Sequence, residues 1–498
     1  MATTSASVPE RVDSAGFAGP DQRESQIMNR RDFLRSSSLV PMSAAAMQPQ
    51  SSERPNVIWF FGDQHRAQAL GCNGDVNART PTIDNLASTG VQFTGAVAGF
   101  PLCCPFRGSL LTGRYPHHAV VGHEYPLPEG QPTIAQPLKE AGYQTAYIGK
   151  WHLGGFHESQ GRAAHFITDP GKRGGFDHWV GYENNNSQYD CWVHGGAGKD
   201  AFHYRLPGYE TDCLTDLLIK YIKEQAAAQR NGGGKPFFAA CSVQPPHNPY
   251  VAPPEYRQRW SAGNIQFRGN VPLAPSIRSA AAGELAGYYA MVENLDFNLN
   301  RVMKTLQEES ISFRTHLMFF SDHGDMLGSQ GQFRKMTAYE ESIRIPFFIG
   351  GATPSYEGYQ TGQVPALLNA PDIAPTTLGL CGLKPPAWME GKDLSGLRWR
   401  KQGTAAPSLP DSAYLQTVVP TGHGDSVNKP YRGLVTRDGW KYACFDNMSW
   451  LMFNLNEDPF EQANLAHNNR YRAERKRLIG RLKQWVADTG DKFQIPDD

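Results

Sequence analysis

Residues 103 to 114 read CCPFRGSLLTGR, which sets Cys103, Pro105 and Arg107 in a Cys-x-Pro-x-Arg frame followed by Leu-Thr-Gly. Proline is tolerated in the first turn of a helix, where N–H groups lack intrahelical partners in any case. The run therefore predicts a helix that begins near Cys103, with a thiol and a basic residue at its positive end, a setting that favours an anion. In an ordinary Leu-rich helix Cys103 and Cys104 would instead be buried apolar thiols. Two further pairs, Asp63-Gln64 and Asp322-His323, stand at the ends of apolar runs. Such oxygen-rich clusters suit a hard divalent cation such as calcium or magnesium, with His323 the less usual participant. Taken singly, an Asp after a strand is more often a helix cap or turn former.

The elements that must carry these residues are legible as alternating apolar runs and helical stretches. The run from Asn56 to Phe61 leads into Gly62-Asp63-Gln64-His65, and similar runs occupy Thr145 to Ile148, Pro236 to Val243 and Thr315 to Phe320. Helical spacing fills Thr82 to Ser88, Pro132 to Ala141, Asp212 to Ala228 and Glu284 to Glu308. Strands alternating with helices predict an α/β domain with a mostly parallel central sheet flanked by helices, in which polar groups collect at the carboxyl ends of the strands. On that topology Asp63, Lys150 with His152, Asp322 with His323, and the Pro245-Pro246-His247 turn converge on one pocket. After Leu383, Pro385-Pro386 and the stretch from Gly403 to Ser412 precede strand-like segments at 413–419, 433–436 and 441–445. A helix over about 470–488 carries Leu478, Ile479, Leu482, Trp485 and Val486 on one stripe and is expected to dock on that sheet. The expected organisation is a large domain at 54–385 and a smaller C-terminal α+β subdomain at 386–498, with a short antiparallel sheet and a terminal helix.

In this order the segments resemble the formylglycine-dependent (type I) sulfatase family of the alkaline phosphatase-like superfamily. The resemblance is carried by the Cys103 frame, Gly149-Lys150-Trp151-His152-Leu153-Gly154, Pro246-His247-Asn248-Pro249, Ser321-Asp322-His323-Gly324-Asp325 and the run from Lys335 to Pro346. Trp450 to Glu461 with Asn464-Leu465 looks like the family's C-terminal hairpin. The resemblance implies an alkaline phosphatase-like large domain and oxidation of Cys103 to formylglycine by a formylglycine-generating or sulfatase-maturating enzyme, with Cys104 in the variable position. It implies a divalent cation, Ca2+ before Mg2+, on Asp63, Gln64, Cys103, Asp322 and His323, Gln64 standing where many relatives have a second Asp. The implied catalytic set is Cys103, Arg107, Lys150, His152, His247 and Lys335. Arg107 would hold the nucleophile or an adjacent carboxylate, Lys150 and Lys335 would bind sulfate oxygens, His247 would protonate the leaving oxygen, and His152 would act as base in releasing sulfate. Glu340, Glu341 and Arg344 read as a structural network.

The implied reaction is hydrolysis of a sulfate ester on a small molecule or glycan. The loop from Gly181 to Tyr209, rich in Asn, Tyr, Trp and His, points to a sulfated carbohydrate. Alternatives are a phosphonate or phosphate ester hydrolase of the same superfamily and a non-catalytic sulfoglycan-binding relative. With 498 residues, 40% of them hydrophobic, and a net charge of +0, the chain can bury a large core and gives no reason to expect nucleic acid or an anionic membrane as partner. Its eight cysteines permit one or two bridges. Met28 to about Ala46 contains Arg30-Arg31-Asp32-Phe33-Leu34, which looks like a twin-arginine export signal over 28–48, after a polar extension at 1–27. No later window offers about 18 apolar residues, so no membrane span is expected. The expected location is the periplasm or the exterior, reached through the twin-arginine machinery after Cys103 is oxidised in the cytoplasm.

Overall fold

The first strand, β1 (Asn56–Gly62), is buried at every position. Its side chains alternate between two cores: Val57, Trp59 and Phe61 enter one, Ile58 and Phe60 the other. An apolar run without polar alternation is what a strand covered on both faces requires. The protein is described from a computed structural model over residues 54–351, 358–400, 403–422 and 427–497. The extension at 1–27 and the twin-arginine segment at 28–48 lie outside the described residues.

Nine further strands complete the large sheet: β2 (Val91–Phe93), β3 (Gln144–Lys150), β4 (His178–Tyr182), β5 (Trp192–Gly195), β6 (Phe202–Arg205), β7 (Phe237–Ser242), β8 (Thr315–Ser321), β9 (Phe347–Gly351) and β10 (Gly362–Val364). Their spatial order is β10-β2-β9-β8-β1-β7-β3-β4-β5-β6. The central run β8-β1-β7-β3-β4 is parallel throughout. Antiparallel pairs flank it, β9 beside β8 and β5 and β6 beyond β4. Helices cover both faces. On one lie α2 (Cys103–Thr112), α3 (Ala135–Glu140) and α8 (Ala370–Leu380), which contribute Phe106, Leu110, Leu138, Ile373 and Leu378. On the other lie α1 (Pro81–Thr89), α4 (Glu210–Arg230) and α6 (Pro275–Glu308), with Leu86, Leu214, Leu218, Leu299 and Val302. The short α5 (Pro254–Arg257) packs on α6, and α7 (Glu340–Ile343) precedes β9.

A second sheet of β11 (Ser412–Thr417), β12 (Tyr431–Thr436), β13 (Trp440–Phe445) and β14 (Met448–Asn454) is antiparallel in chain order. The terminal helix α9 (Arg472–Asp488) lays Leu478, Ile479, Leu482 and Trp485 on Tyr414, Leu434, Tyr442 and Met452 of one face. The opposite face packs Leu415, Val435 and Phe453 against Val97, Ile343 and Leu367. Buried charges tie the two sheets: Lys441 Nζ lies 2.8 Å from Glu340 Oε1 and 2.5 Å from Glu461 Oε1, while Glu340 Oε2 takes a bond from Arg344. Glu341 pairs with Arg268. These are the network expected of Glu340, Glu341 and Arg344.

The architecture is the α/β domain and C-terminal α+β subdomain expected from the sequence, with three differences. Helix α6 begins at Pro275 rather than near Glu284, because its first turns are Ala- and Ser-rich and carry no apolar stripe. The stretch from Gly181 to Tyr209 is not a simple loop but contains the end of β4 and the hairpin of β5 and β6 on the sheet edge. All eight cysteines are free thiols, so the one or two bridges the sequence permits are not formed.

Candidate active site

Four parallel strands deliver the site from their carboxyl ends, and α2 brings the thiol to meet them. Cys103 is the first residue of α2, and Pro105 falls in its first turn, where no donor is lost. Asp63 and Gln64 follow β1, and Asp322 and His323 follow β8. Gly62 is required where β1 ends, since a Cβ there would stand 2.8 Å from the carbonyl oxygen of Pro245. Gly149, at φ +103, would place a Cβ 2.0 Å from the carbonyl oxygen of Ser242, so only glycine lets β3 and β7 approach here. Gln64 and His152 are non-glycine residues held at φ 70 and 55. Such backbone costs free energy and persists where the surroundings over-determine it.

The thiol of Cys103 lies 3.2 Å from His323 Nε2, 3.5 Å from Asp63 Oδ1, 3.4 Å from Lys335 Nζ and 4.0 Å from Lys150 Nζ. Lys150 Nζ forms a 2.6 Å ion pair with Asp63 Oδ2. Arg107 donates to Asp63 Oδ2 at 3.2 Å and to Asp322 Oδ2 at 3.1 Å, and its other nitrogen bonds the Lys150 carbonyl and Ser242 Oγ. Lys335 Nζ donates to Gln64 Oε1 at 2.8 Å and lies 3.0 Å from His247 Nε2. All of these groups are buried except His247, which is half-buried. His152 is buried too, and neither of its ring nitrogens has a hydrogen-bond partner.

Charge follows from this packing. Burial alone would raise the Asp63 carboxyl, but Lys150, Lys335 and Arg107 hold it well below the usual carboxylate range. Burial and Asp63 work against ionisation of Cys103, yet Lys150, Lys335 and His323 bring its thiol down. Against burial, Asp322 raises His323. Burial and Lys335 push His247 well below its ordinary value, and burial with Lys150 and His123 does the same to His152.

Asp63, Cys103, Asp322 and His323 each offer one ligand atom, and these four atoms lie within 4.8 Å of one another. Two buried carboxylates facing one enclosure make a donor set that fits a divalent cation, and an oxygen in place of the Cys103 sulfur would make it harder. Gln64 adjoins this group, but its amide oxygen faces Lys335 while its nitrogen donates to Asn248 Oδ1 and Asp325 Oδ2. Above the thiol a cavity of about 140 Å³ is lined by Cys103, His152, His247 and Lys335, together with His123, Glu158, Asn184, Asn186, Asn248 and Arg334. Asn184 and Asn186 fall in the Asn-rich segment from Gly181 to Tyr209 that the sequence points to, and Asn248 in the Pro246 to Pro249 motif, whereas His123, Glu158 and Arg334 are not singled out by the sequence. Glu158 does lie on the segment that follows β3, so the carboxyl-end rule could have found it. His123, in the connection after α2, carries no such signal. None of the aromatic residues between Gly181 and Tyr209 lines this cavity.

The fold and the site together define an α/β protein whose strand ends gather a cation-ready acidic cluster, a thiol at a helix start and two lysines. Comparison with known proteins narrows the class. Residues 55–383 match the Sulfatase family model, and residues 328–488 match the N-sulphoglucosamine sulphohydrolase C-terminal model. An ulvan-active sulfatase of Formosa agariphila is 32% identical over 90% of this chain and 84% of its own. An N-acetylglucosamine-6-O-sulfatase of Bacteroides thetaiotaomicron is 25% identical over 90% of each chain. The crystal structure of a Bacteroides fragilis protein assigned as the sulfatase yidJ superposes with a TM-score of 0.78 at 26% identity, covering 90% of this chain and 98% of that one. The chain belongs to the sulfatase family.

Proposed function

We propose that this sulfatase cleaves a sulfate ester on a carbohydrate, with a formylglycine made from Cys103 and a divalent cation, Ca2+ before Mg2+, held by Asp63, Asp322, His323 and residue 103. Gln64 joins the ligands once its amide turns from Lys335. The observation that carries the reading is the gathering of Cys103, two carboxylates, two lysines and two histidines in one buried cluster at the carboxyl ends of β1, β3, β7 and β8. The converted residue supplies a hydroxyl nucleophile toward sulfur, and the cation supplies positive charge to the sulfate oxygens.

The chain's own residues divide the remaining work. Arg107 fixes Asp63 and Asp322 by one bond to each, so both carboxylates are held beside residue 103. Lys150 and Lys335 flank the thiol and offer their charges to the ester's single negative charge. His247 commits Nδ1 to the Asn248 carbonyl at 2.6 Å, which leaves Nε2 facing Lys335. His247 Nε2 and Lys335 Nζ, 3.0 Å apart, together supply the proton that the departing oxygen takes up. His152, neutral and with both nitrogens unbonded, is the acceptor for the proton released as sulfate leaves.

Glu158, Asn184 and Asn186 support a sugar rather than an aryl leaving group, because they line the cavity with hydrogen-bonding groups and no aromatic wall. The curated relatives, named for ulvan and for N-acetylglucosamine 6-O-sulfate, support the same class. We assign catalysis to residues 54–385 and closure of the fold to 386–498, oxidation of Cys103 to a dedicated maturation enzyme, and a periplasmic or secreted location through twin-arginine export. Among the described residues no helix is long and apolar enough to cross a membrane.

Two measurements test the reading. The mass of the Cys103 peptide from active enzyme should show loss of sulfur and gain of an aldehyde; an intact thiol in active protein overturns it. A panel of sulfated mono- and oligosaccharides, an aryl sulfate and a phosphonate ester should give turnover of a sugar sulfate, and turnover of the aryl or phosphonate compound alone would sink the substrate assignment.

A further inference from the structure

Beside the oxygen-rich cluster lies a second group of different chemistry. Cys104 follows the nucleophile position on α2 and turns its sulfur the other way, where it accepts the N–H of Glu124 at 3.3 Å. Cys104 Sγ, a ring nitrogen of His123 and a ring nitrogen of His152 lie within 4.8 Å of one another. The two imidazoles meet nearly edge to face, 5.6 Å between centroids and 87° between planes. Cys104 and His152 are buried, and neither ring nitrogen of His152 has a hydrogen-bond partner, so the one that faces Cys104 and His123 is not committed elsewhere. His123 and His152 also line the catalytic cavity, so a fourth position between them opens on it.

We propose that Cys104, His123 and His152 form a soft-metal site through which Zn2+ inhibits the enzyme. A thiolate and two imidazoles are ligands of choice for Zn2+ and poor ones for Ca2+ or Mg2+, the reverse of the Asp63 cluster. Tetrahedral zinc with ordinary Zn–S and Zn–N bonds needs ligand atoms about 3.5 Å apart. Small rotations of the two rings close the spacing from the separation seen here. On binding, the Cys104 thiol loses its proton to solvent and zinc takes the sulfur lone pair, while the fourth position keeps water or a substrate oxygen. Loss of activity follows because His152 can no longer accept a proton. That consequence rests on the role given to His152 above, whereas the binding itself does not.

The test uses enzyme shown by mass spectrometry to be fully converted at residue 103, so that Cys104 is the only thiol beside the cavity, with Ca2+ in constant excess. Titration with Zn2+ should give one zinc per chain and loss of turnover that a zinc chelator reverses. Cys104→Ser should leave turnover without zinc unchanged, abolish the bound zinc and raise the inhibitory concentration by about tenfold or more. Co2+ should give a thiolate charge-transfer band in the wild-type protein that is missing from Cys104→Ser. Should that variant fold poorly, His123→Gln should weaken zinc binding in the same assay. Equal zinc inhibition of wild type and variant, or inhibition relieved simply by raising Ca2+, would overturn the site. Zinc and the cobalt band bound at Cys104 with turnover unaffected would retain the metal but refute inhibition, and would point to a fault in the role of His152.

Discussion

Glu183 is a buried carboxyl whose charge should cost the fold stability at neutral pH, and replacing it by glutamine exposes that cost. It follows β4 and is 1% exposed. Its Oε1 accepts the N–H groups of Gly154 at 2.7 Å and Gly155 at 3.0 Å, which holds the segment just after His152, while Oε2 has no partner. Burial pushes the carboxyl up, and the backbone N–H groups of Gly154, Phe156, Gly155 and Leu153 offset this only in part, so it moves from 4.5 to about 7. For an acid raised in this way the folded state binds more protons than the unfolded chain, and stability falls as pH rises between those two values. The displacement corresponds to roughly 3 kcal/mol, lost by the time the pH exceeds 7. Glu183→Gln keeps the Oε1 acceptor and carries no charge, although its buried amide nitrogen adds a pH-independent cost of about 1–3 kcal/mol. Urea unfolding of wild type and variant in Ca2+ at pH 5, 6, 7 and 8 should therefore show the variant gaining on the wild type by roughly 2.5 kcal/mol across the series. The infrared carboxylic acid absorption at pH 6 should be weaker in the variant by the contribution of one group. Stability profiles that stay parallel from pH 5 to 8 would refute the argument.

Other residues give separable outcomes. Cys103→Ala should lower turnover by roughly four orders of magnitude while leaving the unfolding midpoint near that of wild type, as read by sugar-sulfate hydrolysis and calorimetry. Arg107→Met strips the guanidinium from two buried carboxylates and should cost about 3–5 kcal/mol in EDTA, much of it recovered on adding Ca2+, because the cation replaces the lost charge. Lys441→Met leaves Glu340 and Glu461 buried around an uncharged side chain. It should destabilise the chain by about 3–5 kcal/mol with little change in kcat, since this network joins the two sheets away from the thiol.

What the sequence discloses and what it withholds follow from where side chains get their information. The strands that deliver the site, β1, β3, β7 and β8, are covered on both faces, so burial alone forces apolar runs that end where the polar residues begin. The hairpin of β5 and β6 sits on a sheet edge, and β6 is exposed at every position. Nothing in its composition separates it from a loop. The same contrast runs through the site. Cys103, Asp63, Asp322 and His323 meet because the strand ends and the α2 start dictate where their backbones lie. Gln64 has the expected backbone position, yet its amide is oriented by Lys335, Asn248 and Asp325, residues far along the chain. Asn184 and Asn186 reach the cavity while the neighbouring aromatics do not, because β4 ends at Tyr182 and the chain crosses the strand ends before it turns back along the edge. Of the aromatic and amide groups by which that segment points toward a sugar, the cavity uses the amides and not the rings. The carboxylate and amides that line the cavity place recognition in hydrogen bonds to hydroxyl groups instead. Asn184→Ala should accordingly raise KM for a sugar sulfate about tenfold and leave an aryl sulfate nearly unaffected, and an equal effect on both would place that side chain outside the leaving-group subsite.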